Sequence, residues 1–213
     1  PSLLKTGLPE QAESIIVAKN SGRIRVNPKT CCFKMLPSCL RCHKNHIITL
    51  LIETTHMSLA IGHLVPHFTA PATSQIEFNL EQFKGQFIVL YFYPKDATPG
   101  CTTEGHDFNA LLSQFEELNC KIFGISRDSI KKHESFKAKQ DYNFELISDE
   151  SEALCQLFDV IKLKKLYGKE YIGIDRSTFV ISPEGTLIQE WRAVKVTDHA
   201  QIVLDYLNQL TTS

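Results

Sequence analysis

The sequence predicts an α/β fold, a mixed central sheet with helices on both faces, behind a poorly structured N-terminal extension. Three observations carry that prediction. Short apolar runs that suit strands alternate with stretches of helical period, and one of them, Phe87–Tyr93, passes straight into a helix start. The last two runs flank Pro183-Glu184-Gly185, a turn sequence, so the sheet closes with a hairpin and cannot be purely parallel. Charge then divides the chain: residues 1–56 hold 8 Lys/Arg against 3 Asp/Glu, and residues 57–213 hold 15 against 21.

The basic part carries Cys31, Cys32, Cys39 and Cys42, four of the seven cysteines, and no sustained period beyond a short apolar patch at Ile47–Ile52. Residues 1–56 are therefore expected to be disordered or upstream of the functional protein, which would begin at or near Met57. Glu10 and Glu13 speak against a targeting segment, and Glu53, His56 and His63 break up Ile47–Val65 as a membrane span. Cys39-Leu40-Arg41-Cys42-His43 has the spacing of a haem attachment site, and with Cys31, Cys32 and His46 it offers zinc ligands. Neither a distal ligand nor a supporting hairpin accompanies it, so chance is the preferred reading and no cofactor or metal is expected. The acidic remainder gives no reason to expect nucleic acid. Without a secretory signal, a reducing cytoplasm and free cysteines are the expectation.

In order along residues 57–213, Ile76–Leu80 alternates as a short strand, and Phe87–Tyr93 is a buried one. Thr98 suits an N-cap and Pro99 the first helical position. Phe108, Leu111, Leu112, Phe115 and Leu118 then trace one apolar helix face up to Leu118-Asn119. Lys121–Ser126 is a strand, Ser129–Gln140 a helix with Ile130, His133 and Phe136 on one side, and Phe144–Ile147 a strand. Ser148-Asp149 opens a helix through Leu154, Leu157 and Phe158. Lys162-Leu163-Lys164-Lys165 reads as a solvated loop. Thr178–Ser182 and Thr186–Trp191 form the hairpin, and Ile202, Val203, Tyr206, Leu207 and Leu210 mark a final helix.

The chemistry concentrates where Phe87–Tyr93 ends. Counting from Pro99, Cys101 is the third helical residue, beside unpaired N–H groups and the positive end of the helix dipole. Such a setting can draw a thiol from about 8.5 down to roughly 3.5–7.5. The plain alternative is a small buried hydrophobe. A strand end, a cap, a proline and a glycine converging on one thiol favour a reactive thiolate instead.

Pro94-x-x-x-Thr98-x-x-Cys101 resembles the peroxidatic signature of the peroxiredoxins. The longer stretch Tyr91-Phe92-Tyr93-Pro94-Lys95-Asp96-Ala97-Thr98-Pro99-Gly100-Cys101-Thr102-Thr103-Glu104 is similar to their bacterioferritin comigratory protein, or peroxiredoxin Q, branch. The similarity runs from about Ile61 to Leu210. It implies a thioredoxin-like fold and a thiol-dependent peroxidase that reduces hydrogen peroxide and alkyl hydroperoxides. Cys101 would be the nucleophile, Thr98 would hydrogen-bond the peroxide, Pro94 would shield the pocket, and Arg176 would match the active-site arginine. Glu104 matches a family position too, although an acid near a helix start is favourable anyway.

The chain departs from that pattern in one respect. Many members of the branch carry a resolving cysteine five residues after the nucleophile, where His106 stands, or on the following helix, where Lys137 is the nearest match. Cys120 and Cys155 remain as resolving candidates, each read first as core packing. The expectation is a one-cysteine mechanism, with thioredoxin, glutaredoxin or glutathione as reductant and a monomer as the working form. A disulfide oxidoreductase would need a second cysteine at position 104, and a cysteine phosphatase an arginine at 107; Glu104 and Asp107 stand there. From another functional class, a redox sensor or thiol relay that passes oxidation to a partner would use the same residues.

Overall fold

The computed structural model describes residues 59–211, Tyr167 excepted. The cysteines and histidines at 31–46 and the proposed start at Met57 lie outside the described residues. Nine strands and five helices follow one another: β1 Thr69–Ala72, β2 Ile76–Asn79, β3 Phe87–Phe92, α1 Pro99–Ala110, α2 Leu112–Glu117, β4 Cys120–Ser126, α3 Ile130–Gln140 and β5 Glu145–Ser148. Then come α4 Ala153–Leu157, β6 Ile161–Leu166, β7 Lys169–Ile174, β8 Ser177–Ile181, β9 Leu187–Trp191 and α5 His199–Thr211.

Seven strands make one mixed sheet in the order β2-β1-β5-β4-β3-β8-β9. β3 pairs in parallel with β4 and antiparallel with β8, and β4 pairs in parallel with β5. Alternation along β3 builds two apolar layers. Ile88, Leu90 and Phe92 face one side with Phe158 and Phe179, while Val89, Tyr91 and Tyr93 face the other with Phe108, Phe115, Phe136 and Val203. A strand buried on both faces has to be apolar throughout, which is why the only polar side-chain group in Phe87–Phe92 is the Tyr91 hydroxyl. Helices thus cover both faces, α1, α3 and α5 on one and α4 on the other. This is the thioredoxin-like arrangement.

The elements differ from the sequence reading in three places. The helix after Cys101 is broken at Leu111 (φ −99°, ψ 2°), so α1 and α2 are separate helices along one apolar stripe. Thr69–Ala72 is a strand, with Pro71 among its residues, paired along its length only to β2. The lysine-rich run at 162–165 belongs to a two-stranded hairpin outside the main sheet rather than to a loop. Its Leu163 and Ile172 are directly opposed and exposed, so no buried face marks these strands in the sequence. Among the described residues no helix is long and apolar enough to cross a membrane.

The parallel and antiparallel neighbours of β3 fix where the site sits. Phe92, at the C-terminal end of β3, is opposite Ser177, so Arg176 arrives beside the start of α1.

Candidate active site

Cys101 is the third residue of α1 and is 2% exposed. The Arg176 guanidinium donates from Nη2 to its sulfur at 3.3 Å, and from Nη1 it pairs with the Glu104 carboxylate. One planar fork therefore bridges the thiol and an acid one helical turn further along α1. Gly100 lies against it: a Cβ there would be in van der Waals contact with Nη2, at 3.4 Å.

Glu104 is not in the first turn of α1, as its sequence position suggested, but one turn on and buried, where Arg176 rather than the helix dipole is its partner. Burial pushes its carboxyl up to about 7, although Arg176 pulls it down, and its Oε1 has no hydrogen-bond partner. For Arg176, burial works against the charge, but Glu104 and Cys101 outweigh it and raise the guanidinium above its ordinary value. Arg176 is thus charged at any pH at which the protein is folded.

Thr98 occupies the N-cap position with extended backbone, yet its hydroxyl caps nothing. It turns back instead and donates to the Lys95 carbonyl at 3.2 Å. The N–H groups of the first turn are therefore not consumed by Thr98 and stay beside the sulfur. Pro94 is exposed at the mouth of the same loop. On the inner side, Tyr142 donates its hydroxyl to the Thr102 carbonyl at 3.0 Å. Gly105 allows this approach, since any Cβ there would overlap the Tyr142 phenol.

His106 and Lys137, the two positions at which the resemblance led a resolving cysteine to be sought, carry polar tethers. His106 is exposed with Nε2 3.0 Å from Gln140 Oε1. Lys137 reaches Glu145 Oε1 at 2.6 Å and Ser74 Oγ at 3.0 Å. The two remaining described cysteines are buried and remote from Cys101. Cys120 opens β4 opposite Phe87, a full strand length of about 17 Å from the site. Cys155 belongs to the apolar layer on the other face of the sheet from Cys101. Burial pushes the Cys120 thiol up to about 12 and, with Asp149 adding to it, raises Cys155 as well. Among the described residues no cluster of His, Cys, Asp or Glu has the arrangement of a metal site.

Residues 61–190 match the AhpC/TSA family. The chain belongs to that family. Peroxiredoxin Bcp of Bacillus subtilis is 48% identical over 155 residues, which span 73% of this chain and 99% of the relative. Peroxiredoxin Bcp of Xanthomonas campestris pv. campestris is 59% identical over 126 residues, 59% of this chain and 79% of its own length. Among solved structures, a cysteine-to-serine mutant of Xylella fastidiosa PrxQ superposes with a TM-score of 0.69 at 45% identity, covering 72% of this chain and 98% of its own. The X. campestris bacterioferritin comigratory protein, described for its alkyl peroxide reduction activity, gives 0.64 at 52%, covering 67% and 91%. These relatives put this peroxiredoxin in the bacterioferritin comigratory protein, or peroxiredoxin Q, branch.

Asp96 and Asp128 carried no assignment in the sequence, and His133, expected to be a surface or satisfied histidine, is a buried one bonded to Asp96. Asp96 lies inside the motif stretch and His133 on the apolar side of its helix, and either placement is the signal that marks a buried polar group.

Proposed function

We propose that the chain is a thiol-dependent peroxidase that works through Cys101 alone and is restored by an external thiol. The observation that carries this reading is the single guanidinium shared between the buried Sγ and the buried Glu104 carboxyl at a helix start. The Cys101 sulfur attacks one peroxide oxygen, the S–O bond forms as the O–O bond breaks, and the departing oxygen leaves as water or an alcohol once protonated. Arg176 and the first-turn N–H groups stabilise the negative charge on that oxygen. Thr98, whose own proton points to Lys95, keeps oxygen lone pairs to receive the peroxide O–H. Pro94 shields the mouth, and Glu104 orients Arg176.

The resulting sulfenic acid condenses with an incoming thiol, releasing water and leaving a mixed disulfide. A second thiol then frees Cys101 and carries off the disulfide. The remoteness of Cys120 and Cys155 supports an external reductant, of the thioredoxin, glutaredoxin or glutathione type. The same reading assigns catalysis to residues 57–213 and takes the working form as a cytoplasmic monomer acting on hydrogen peroxide and alkyl hydroperoxides.

The test is peroxide consumption by the full chain with each reductant system, beside Cys101→Ser and a Cys120→Ala/Cys155→Ala double variant. Turnover absent in the first and undiminished in the second, with sulfenate trapped on Cys101, is the expected result. An intramolecular disulfide on Cys101 would overturn the one-cysteine mechanism. Oxidation without turnover under any reductant would favour a thiol relay.

A further inference from the structure

Resting on the peroxidase reading, we propose that Asp96, Asp128 and His133 are positioning residues that set the Thr98 hydroxyl over Cys101. The loop between β3 and α1 runs from Tyr93 to Thr98. Pro94, Lys95 and Ala97 are exposed, whereas the Asp96 side chain turns inward beside the buried Tyr93, where it is 8% exposed. Ala97 is held at φ +57°, a left-handed conformation that an alanine adopts only at a cost of about 1–2 kcal/mol. Something outside the loop must impose that geometry, because nothing local favours it.

Two sets of contacts supply the force. The first acts on the backbone. The Asp128 carboxylate accepts the Asp96 N–H at 2.8 Å, and the Lys95 carbonyl accepts the Thr98 hydroxyl at 3.2 Å. Both belong to the same planar peptide unit between Lys95 and Asp96, so Asp128 at one edge orients the acceptor that aims Thr98 at the other. Asp128 is itself held: Ser126 donates to Oδ2 at 3.1 Å and Lys132 to Oδ1 at 3.2 Å. Burial alone would raise the Asp128 carboxyl, but the Asp96 N–H, Lys132 and Ser126 outweigh it and keep the group below its ordinary range.

The second set acts on the Asp96 side chain. Tyr93 donates its hydroxyl at 2.7 Å, and His133 Nδ1 lies 2.9 and 3.1 Å from the two carboxylate oxygens. His133 is fully buried, and its Nε2 has no hydrogen-bond partner. A leucine would fill that space without an unpaired nitrogen, so packing does not account for an imidazole there. What only the imidazole provides is the Nδ1 donor to Asp96. His133 lies on α3 and Asp128 on the segment leading into it, so the loop that carries Pro94 and Thr98 takes its shape from α3.

The experiment measures the second-order rate of Cys101 oxidation by hydrogen peroxide, with melting temperature alongside, in the full chain. His133→Leu is expected to slow oxidation by about 10- to 100-fold, the scale of a slightly misplaced catalytic group. Because it also leaves the buried Asp96 carboxylate with one donor fewer it melts below the wild type, and the rates are compared at a temperature where both are fully folded. His133→Asn, whose side-chain amide reaches the place of Nδ1, recovers most of the rate. Asp128→Asn, which keeps an acceptor for the Asp96 N–H, outpaces Asp128→Ala in the same assay. A wild-type rate in both His133→Leu and Asp128→Ala would overturn the proposal. So would equal losses in His133→Leu and His133→Asn, since the donor would then be irrelevant. A wild-type chain that is not oxidised at Cys101 would instead refute the peroxidase reading, which separates the two failures.

Discussion

Arg176 does two things with one side chain, and no other residue type can do both. Its Nη2 reaches the sulfur while Nη1 holds Glu104, a geometry that needs a planar group with two donors. Arg176→Lys keeps the charge but loses the fork, and the rate of Cys101 oxidation should fall by about 10²–10³, the range seen when an anion-stabilising donor is removed. Stopped-flow fluorescence or competition against a second peroxide scavenger would measure it. Gly105 makes a different demand. Gly105→Ala drives a Cβ into the Tyr142 phenol and breaks its bond to the Thr102 carbonyl, so we expect a loss of about 1–3 kcal/mol in chemical denaturation. The motif made Cys101, Thr98 and Arg176 legible from sequence. Gly105 and Tyr142 were not, because what joins them is a close approach between residues far apart in the chain.

At the scale of elements, α3 is the most heavily tethered part near the site. Each of its turns is tied to a neighbour: His133 to Asp96, Glu134 to the Ser74 N–H at 2.6 Å, Lys137 to Glu145 and Gln140 to His106. Burial alone would raise the Glu145 carboxyl, but Lys137, Thr73 and Ser74 more than reverse this, so the Lys137 tether is ionic at neutral pH. Four tethers along one eleven-residue helix leave it no free end from which to unwind. We therefore expect amide hydrogen exchange across residues 130–140 to be the same in the reduced protein and in protein oxidised to the sulfenate. A burst of exchange on oxidation would contradict a one-cysteine cycle. The helical period and the apolar strand runs revealed most elements, whereas β6 and β7 escaped because only their base, Ile161 and Ile174, meets the core while Leu163, Tyr171 and Ile172 are exposed, so burial sets no alternating pattern along them.

Over the whole molecule, two buried groups near the site bend the pH dependence of stability in opposite directions. Burial raises Glu104 from 4.5 to about 7, so between those values the folded state binds the extra proton and stability falls as pH rises. His199, bonded through Nε2 to Thr178 at 2.8 Å, is lowered by burial and by Arg176 from 6.5 to about 4. Here the unfolded chain binds the extra proton, and stability falls as pH drops through that window. The two slopes oppose one another between about pH 4.5 and 6.5, and the wild type should be nearly level there. Glu104→Gln removes one slope, worth on the order of 2–3 kcal/mol, and should leave a protein that weakens towards acid. His199→Gln should do the reverse and weaken towards neutrality. Melting curves across pH 4–7 would read both, and parallel curves for the three proteins would reject the assignment.

The sequence by itself determined the order of most strands and helices, the helical position of Cys101 and which thiol to propose as the nucleophile. Each of these depends on residues close together in the chain, where hydrophobic period, caps and breakers act directly. The tertiary structure alone decided that Glu104 is buried against Arg176, that Cys120 lies at the far end of β4 and Cys155 on the other face of the sheet from Cys101, and that Asp128 and His133 bond Asp96 in the loop before α1. Those outcomes come from strand order and from which face of the sheet a residue meets. Neither is encoded in a local stretch, because contacts between residues distant in sequence form only when the whole sheet closes.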